Sequence, residues 1–491
     1  MITQTQTGHG RRARARELGG PLYARVTPSQ CETLHEAALR ILERTGVCLP
    51  LPRAVALLRE AGAAVSDAER VRVPRELVAW ALERAPGIVT LHDRGGSPAL
   101  VLDGTSTAYG PGSDCLHILD HRGGELRRPL LSDVTEAVRL AGALDEIGFV
   151  MSMFLPTDVD QRIADRHQMR AMLTASAKPV VFVTYDETGC RDAVAMAEAV
   201  AGGAEALRRR PSVCCYVNVA TALWPNPESL EKLLFLAGKG LPFLYVPGAQ
   251  AGVSTPATTA GSVAEITAGV LAGLVLTQLA REGAPFIVKG WGGGGLDMRT
   301  MVYGYASPDQ RATSIAMARY YDLPSFALAG ASDAKLVDGQ AAAEAALTLA
   351  VETLAGADLV HDLGYLESGM TGSLAQLVVC AEMVSWLRHL RRPLVLDEEA
   401  LAVDLVDELG PGGQYLGTAH TRRHFREQWY PTVFDRQTRE SWQAAGSSDL
   451  AARAARRADE LLAAAPPVEP PAADAELAAI VHAAETAVGV R

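Results

Sequence analysis

The densest group of polar side chains in the sequence follows a short apolar run and spans His361–Gly369. This stretch holds a histidine, a tyrosine and two carboxylic acids. Imidazole and carboxylate groups are the side chains most often used for proton transfer and for orienting a substrate. A lone buried histidine is more often structural, but these neighbours favour a site. We predict that His361 and Glu367 are catalytic residues and that Tyr365 contacts the substrate.

A second group surrounds the glycine run Gly292–Gly295. Aromatic rings at the mouth of a fold can hold a quaternary ammonium through cation–π contacts, and a lysine or arginine can bind a carboxylate. Ordinary packing at the rim is the alternative. We predict Asp297 as a further catalytic residue, and Trp291, Tyr303, Tyr305, Arg299 and Lys289 as substrate-binding residues.

Two glycine-containing loops are candidates for contact with a cofactor. The loop that follows Tyr245 is built from small residues, which allow another surface to approach the backbone closely. A tight connection is the alternative for this loop. The second loop is the glycine run Gly292–Gly295, for which a phosphate cradle is disfavoured because the chain has no GxxxxGK[ST] motif. The residues predicted to contact a cofactor are Gly248, Gln250, Gly292 and Gly293.

The histidines do not predict a metal site. The sequence contains no HExxH motif, and although His420 and His424 have i,i+4 spacing, no thiolate or third ligand stands near them in the sequence. Zinc sites need three or four protein ligands. We therefore predict that the chain binds no metal.

Composition excludes several classes of protein. The chain has 491 residues, of which 48% are hydrophobic and 21% charged, so it can bury a large core. Its net charge of −11 argues against nucleic acid as the main partner. Seven cysteines without a CxxC pair are typical of a reducing compartment. With no secretory or transmembrane pattern, these features indicate a cytoplasmic protein that does not bind a membrane.

Short apolar runs recur along the middle of the chain, and helical segments follow them. Near-continuous apolar strands are typical of a parallel sheet buried on both faces. We predict an α/β fold, a (β/α)8 TIM barrel in residues 101–392, with a helical N-terminal cap (1–100) and a C-terminal helical extension (393–491). An open doubly wound sheet is the rival. The predicted strands are Ala108–Gly110, Gly148–Met151, Val180–Thr184, Cys214–Val219, Phe243–Gly248, Pro285–Gly290, Ser325–Gly330 and Leu359–Gly364.

Several of these strings resemble the trimethylamine–corrinoid methyltransferase superfamily, in its branch that lacks pyrrolysine. The resemblance covers roughly residues 25 to 460 and is strongest at Leu359–Ser373. Its other strings are Gln30–Leu42, Thr255–Gly261, Leu296–Thr300, His420-Thr421 and His424–Arg426.

This resemblance implies a barrel enzyme that moves a methyl group from a methylated amine to the cobalt of a separate corrinoid protein. The chain would then hold no cofactor tightly, and the corrinoid (cobalamin) would come from the partner. The trimethylamine enzymes carry pyrrolysine at the mouth, which we expect near Phe326–Lys335, where this chain has standard residues only. The resemblance therefore favours a small quaternary amine such as glycine betaine.

Three further interpretations stay open at this stage. The chain is also compatible with another small-molecule barrel enzyme, of the lyase or decarboxylase type, that does not use a corrinoid. A barrel that binds betaines without catalysing a reaction is an alternative from a different class of protein, and it would show the same sequence features. Large helical surfaces are compatible with a homo-oligomer.

Overall fold

The centre of the chain is a parallel β-sheet, seen in a computed structural model that describes residues 23–67, 69–289 and 295–490. Seven strands are hydrogen-bonded in the order β1-β7-β6-β5-β4-β3-β2. They are β1 (Ala108–Pro111), β2 (Val180–Val183), β3 (Val213–Val219), β4 (Phe243–Pro247), β5 (Phe286–Lys289), β6 (Ser325–Leu328) and β7 (Leu359–Leu363).

The remaining predicted strand, Gly148–Met151, lies between the two ends of this sheet. It forms isolated parallel bridges that pair Ile147 with Tyr109 on one side and Val150 with Val180 on the other. The Gly148 N–H donates to the carbonyl of Tyr109 at 2.7 Å, and the Val181 N–H donates to the carbonyl of Val150 at 2.9 Å. The sheet is thereby closed into an eight-stranded barrel, and the predicted fold class is confirmed.

Helices surround the barrel and cover the outer face of its strands. One of them, Thr259–Ala280, is long and apolar enough to cross a membrane, but 83% of its apolar window is buried, as in the core helix of a soluble protein. The helices in this part are Leu131–Ala143, Ala164–Ala175, Glu187–Ala201, Ala204–Arg209, Pro227–Lys239, Thr259–Ala280, Thr313–Tyr320, Gly339–Ala355 and Leu374–Leu390.

The inside of the barrel is apolar at one end. Inward side chains from neighbouring strands, among them Phe326 and Leu359, pack into one cluster. An antiparallel hairpin, Val89–His92 and Pro98–Leu102, adds apolar residues to that cluster. The His92 N–H donates to the carbonyl of Pro211, just before β3 begins, so the hairpin closes the N-terminal end of the barrel. Polar inward side chains are left for the C-terminal end.

The N-terminal segment packs on the outside of the barrel. Its first helix, Pro28–Arg44, begins with a capping box formed by Thr27 and Gln30 and packs on Thr259–Ala280. Besides helices, it contains a small antiparallel sheet. The remaining elements are the helices Pro52–Glu60 and Arg75–Arg84 and the strands Val47–Cys48, Ala64–Ser66 and Arg70–Arg72. The boundary at residue 100 stays a prediction.

Short strands and one 3-10 helix lie beyond the C-terminal ends of the barrel strands. Leu296–Asp297 and Val302–Tyr303 form a two-stranded hairpin directly after the undescribed residues 290–294. A four-stranded sheet is built from His117–Leu119, Leu126–Arg127, Tyr365–Leu366 and Thr371–Gly372, and the 3-10 helix is Glu367–Gly369. These elements form the rim of the mouth.

The C-terminal extension is tied to the barrel by a buried carboxylate. Oε1 of Glu382 accepts the backbone N–H groups of Thr432, Val433 and Phe434 at 2.8 to 3.1 Å. The last two helices, Leu450–Ala464 and Asp474–Ala487, then pack on barrel helices. The other helices are Glu398–Leu401, Val403–Leu409, Ala419–His424, the 3-10 helix Phe425–Glu427, and Arg439–Ala444. The boundary at residue 393 stays a prediction.

Candidate active site

The alternation of side chains along β7 points His361 into the barrel, two residues beyond the inward Leu359. The His361 ring stacks on Phe326 of β6, with ring centroids 4.2 Å apart. Its other neighbour is Tyr216 of β3, which meets it edge-on at 5.7 Å. His361 therefore lies at the upper edge of the apolar interior, where the polar mouth begins.

Burial keeps His361 neutral. Desolvation is the largest influence on its pKa, which lies below the usual value for histidine. Nδ1 lies 2.7 Å from Oδ1 of Asp362, but the two groups are not aligned as a hydrogen bond, and neither ring nitrogen has a hydrogen-bond partner in the described structure. Nδ1 thus faces the Asp362 carboxylate, and Nε2 is the nitrogen left to meet a bound molecule or water.

Asp362 is the buried carboxylate of the mouth. Its backbone φ is +76°, a left-handed conformation that is unfavourable for a residue with a side chain. The hydroxyl of Tyr305 donates a hydrogen bond to Oδ2 of Asp362, while the Tyr365 hydroxyl donates to the carbonyl of Ser113. A Cβ on Gly112 would overlap both Oδ1 of Asp362 and the Tyr365 hydroxyl. The backbone at Gly112 therefore has to be bare for these side chains to fit.

Lys289 ends β5 and is buried at the mouth. Burial lowers the pKa of its ammonium to about 7, and the charge of Asp362 offsets only part of that effect. Nζ lies 6.0 Å from the ring centroid of Tyr216. Near neutral pH a small change in surroundings is enough to switch this amine between its charged and neutral forms.

Three tyrosines lie near the Asp362 carboxylate, and a fourth, Tyr303, packs on one of them. Tyr303 and Tyr305 meet edge to face, with ring centroids 5.8 Å apart. Burial, with the charge of Asp362, raises the pKa of Tyr216, Tyr305 and Tyr365 above the usual range, so their phenols stay neutral. We call Tyr216, Tyr303, Tyr305, Tyr365 and Asp362 the tyrosine cup. A group of aromatic rings with one anion is chemically complementary to an organic cation.

Residues behind the tyrosine cup hold Tyr305 in place. Oδ1 of Asp333 accepts the Tyr305 N–H and the Ser368 hydroxyl, each at 2.9 Å. The guanidinium of Arg311 donates to the Tyr305 carbonyl. Asp333 lies in the segment Phe326–Lys335, where the resemblance places pyrrolysine in the trimethylamine enzymes. In this chain the segment supports the cup instead.

Two predicted site residues pair with each other. Arg299 Nη2 lies 3.0 Å from Oδ2 of Asp297, and the Arg299 side chain is 89% exposed. Hydrogen bonds from Arg299 lower the pKa of Asp297 to about 2. The structure gives neither residue a contact with His361. Their catalytic and substrate-binding roles remain predictions without geometric support.

Other predicted site residues make hydrogen bonds within their own loops or to the adjacent strand. The Glu367 carboxylate accepts the Thr371 hydroxyl at 2.7 Å, within the rim turn. The N–H of Gly248 donates to the carbonyl of Val219, and the carbonyl of Gln250 accepts three N–H groups of its own loop. These backbone groups are therefore occupied within the fold. Trp291, Gly292 and Gly293 lie outside the described residues.

Three residues of this candidate site were not predicted: Tyr216, Phe326 and Asp362. Asp362 was noted only as one of the two carboxylic acids in the stretch that begins at His361. Tyr216 lies between Cys214 and Asn218 on the inward face of β3, so the two-residue period could have found it. Asp362 stands next to His361 in the sequence, but strict alternation would have pointed it outward. Its left-handed backbone turns it toward the mouth.

Comparisons with known proteins cover most of the chain. The family model described as trimethylamine methyltransferase (MTTB) matches residues 4–489. The trimethylamine methyltransferase MttB of Desulfitobacterium hafniense is 30% identical over 87% of both chains. A glycine betaine methyltransferase from another strain of that species is 29% identical over 94% of this chain and 97% of its own. The solved monomethylamine methyltransferase of Methanosarcina barkeri superposes with a TM-score of 0.51 at 11% identity, covering 93% of both chains, which shows a shared fold.

Proposed function

Because the chain belongs to the trimethylamine methyltransferase (MTTB) family and is a methyltransferase, we propose that its substrate is a small quaternary amine of the betaine type. The methyl group goes to the cobalt of a partner corrinoid protein, which supplies a strong nucleophile. The observation that supports the choice of substrate is the tyrosine cup, a cluster of four tyrosines that contains one buried carboxylate.

The chemistry of a quaternary amine fits this site. Such a substrate already carries its positive charge, so its leaving group is a neutral amine and no general acid is required. The protein has to orient the methyl group and keep water away from it. Tyrosine faces and the Asp362 carboxylate hold the cation, while neutral His361 and Phe326 form the apolar floor below.

A betaine also carries a carboxylate, and Lys289 is the group we assign to it. Lys289 lies beside the cup at the end of β5, whereas the guanidinium of Arg299 is exposed and paired with Asp297. An anion bound next to a partly neutral lysine favours the protonated ammonium. Lys289 therefore binds one end of the substrate and the tyrosines bind the other, which fixes its direction in the mouth.

In this proposal the partner protein carries the corrinoid. Gly248 and Gln250, which we predicted to contact it, use their backbone groups within the fold. A corrinoid contact at these two residues therefore stays a prediction, and it would have to use the Gln250 side chain or the bare surface of Gly248 rather than these backbone groups.

Methyl transfer to reduced cobalt tests the proposal. The protein is incubated with a Co(I) corrinoid protein and, separately, with glycine betaine, carnitine, choline or trimethylamine, and the loss of the Co(I) spectrum is followed. We expect transfer from a betaine and none from trimethylamine. Transfer from trimethylamine alone would contradict the choice of substrate. A betaine that raises the melting temperature without any transfer would identify a silent binder, and no response to any amine would favour the lyase or decarboxylase alternative.

A matched pair of variants links the activity to the cup. Asp362→Asn removes the buried negative charge while keeping the shape of the side chain, and we expect at least about a tenfold loss of affinity for a cation. Glu205→Gln is the control, because Glu205 is an exposed carboxylate paired with Arg208 on an outer helix. Equal affinities in the two variants would remove Asp362 from the site.

A further inference from the structure

The first part of the C-terminal extension has no hydrophobic core of its own. No residue from 391 to 430 is buried, although this range contains the helices Glu398–Leu401, Val403–Leu409 and Ala419–His424. The range also contains no cysteine, so no disulfide can join its parts. Small units without a core are usually held together by a disulfide, a metal or a partner.

Glu399 connects the first helix of this range to the last. Oε1 of Glu399 lies 3.1 Å from Nε2 of His424, and the carbonyl oxygen of Glu399 lies 3.1 Å from Nε2 of His420. One ligand atom from each of these three residues lies within 4.8 Å of the other two. Among the described residues, this is the group of histidine and carboxylate side chains that is close enough to share a metal ion.

The neighbours of His424 also match a metal site. Nδ1 of His424 lies 2.7 Å from Oε1 of Glu427, which leaves Nε2 facing Glu399 and His420. A metal-bound histidine usually has its other ring nitrogen hydrogen-bonded to a carboxylate, and this partner fixes the ring and raises its basicity. The helix Ala419–His424 places His420 and His424 on one face, with ring centroids 4.4 Å apart.

We propose that Glu399, His420 and His424 form a Zn²⁺ site that holds the extension together. Two imidazoles and one carboxylate are a common zinc ligand set, with water in the fourth position. Zinc bonds of about 2.0 to 2.1 Å in a tetrahedron place ligand atoms about 3.3 Å apart. The pair His424–Glu399 already has this spacing, and all three side chains are at least partly exposed; His420 has to exchange its contact with the Glu399 carbonyl for the metal.

Arg423 competes with a metal ion for the Glu399 carboxylate, and this competition provides a further test of the proposal. Its Nη2 and Nε lie 2.5 and 2.9 Å from Oε1 of Glu399, the same oxygen that would bind the metal. The guanidinium has to move away before zinc can bind. Arg423→Ala should therefore tighten zinc binding, whereas in a simple ion-pair network the same substitution would only loosen the segment.

Zinc content of the untagged full chain tests the site. The protein is loaded with ZnCl₂ at pH 7.5 and dialysed, and bound zinc is measured by mass spectrometry and by competition with a chromophoric chelator. We expect about one zinc ion per chain, a loss of at least about tenfold in affinity for His424→Ala and Glu399→Gln, and a tighter site for Arg423→Ala. His482→Ala is the control, since His482 is an exposed histidine with a neighbouring glutamate on the last helix.

Hydrogen exchange gives a second measurement that does not depend on enzyme activity. Zinc should slow exchange in residues 397–427 of the natural chain and should have no effect there in His424→Ala. Wild-type protein that retains no more zinc than His424→Ala would overturn the proposal, and so would an equal loss of zinc in His482→Ala. Because the three ligands are at the surface, these variants are expected to fold, and the melting temperature checks that they do.

Discussion

Replacing Lys289 by methionine should make the protein more stable and less active. The side chain of Lys289 is buried, and burial lowers the pKa of its ammonium from 10.5 to about 7. The folded protein therefore binds fewer protons at this residue than the unfolded chain does between pH 7 and pH 10.5. Stability must then rise with pH across this window, and it is lost as the pH falls toward 7.

The size of the effect follows from the two pKa values. One pKa unit corresponds to about 1.36 kcal/mol. Keeping a lysine with a pKa of about 7 in place of 10.5 costs about 4 kcal/mol at pH 7 and about 2 kcal/mol at pH 9, and the cost nearly vanishes at pH 10.5. Methionine fills a similar volume without a charge, so Lys289→Met should recover most of this free energy.

Urea unfolding at pH 7, 8 and 9 measures the difference. Lys289→Met should shift the midpoint upward at pH 7, and the shift should shrink as the pH rises. The control is Lys239→Met, because Lys239 is partly exposed and paired with Glu198, so its effect should be small and the same at each pH. A gain that does not change with pH, or no gain at pH 7, would refute the reasoning about burial.

Three further predictions concern the cup and the attachment of the extension. Gly112→Ala should abolish methyl transfer and also lower the melting temperature, because the new Cβ would collide with the buried side chains of Asp362 and Tyr365. Tyr305→Phe should lower the free energy of unfolding by about 2 kcal/mol in urea titrations, since it removes a hydrogen bond to the buried Asp362 carboxylate. Glu382→Ala should lower the free energy of unfolding by about 3 kcal/mol and speed hydrogen exchange at residues 432–434, which lose their shared acceptor.

The barrel could be predicted from the sequence because its strands are buried on both faces. Predicted and observed strands agree to within a residue or two, as in Phe243–Pro247 and Leu359–Leu363. The second strand is the exception. Around Gly148 the described chain makes isolated bridges rather than a continuous ladder, and Gly148 lies close against Ala108 and Leu100. Local composition identified the strand but did not predict how irregular its pairing is.

The prediction placed side chains together where neighbours in sequence are also neighbours in space, and the roles assigned to those side chains stay predictions. His361 and Tyr365 come from one short stretch, and both face the mouth. Asp297 and Arg299 also come from one stretch. Their opposite charges, two residues apart, form an ion pair with each other at the surface. Glu399 lies 21 residues before His420, so its closeness to the histidine pair could not be predicted from sequence spacing.

Unfavourable local features are concentrated at the mouth of this barrel. Asp362, Glu367 and Ser368 all have left-handed backbones, with φ of 76°, 51° and 56°, at positions where glycine would be easier to accommodate. Lys289 adds a buried amine, and His361 has two buried nitrogens without hydrogen-bond partners in the described structure. Stability alone would select against each of these residues, and a bound cation with a carboxylate would compensate for the charges. The energetic cost of the mouth is therefore itself an argument that a zwitterionic ligand belongs there.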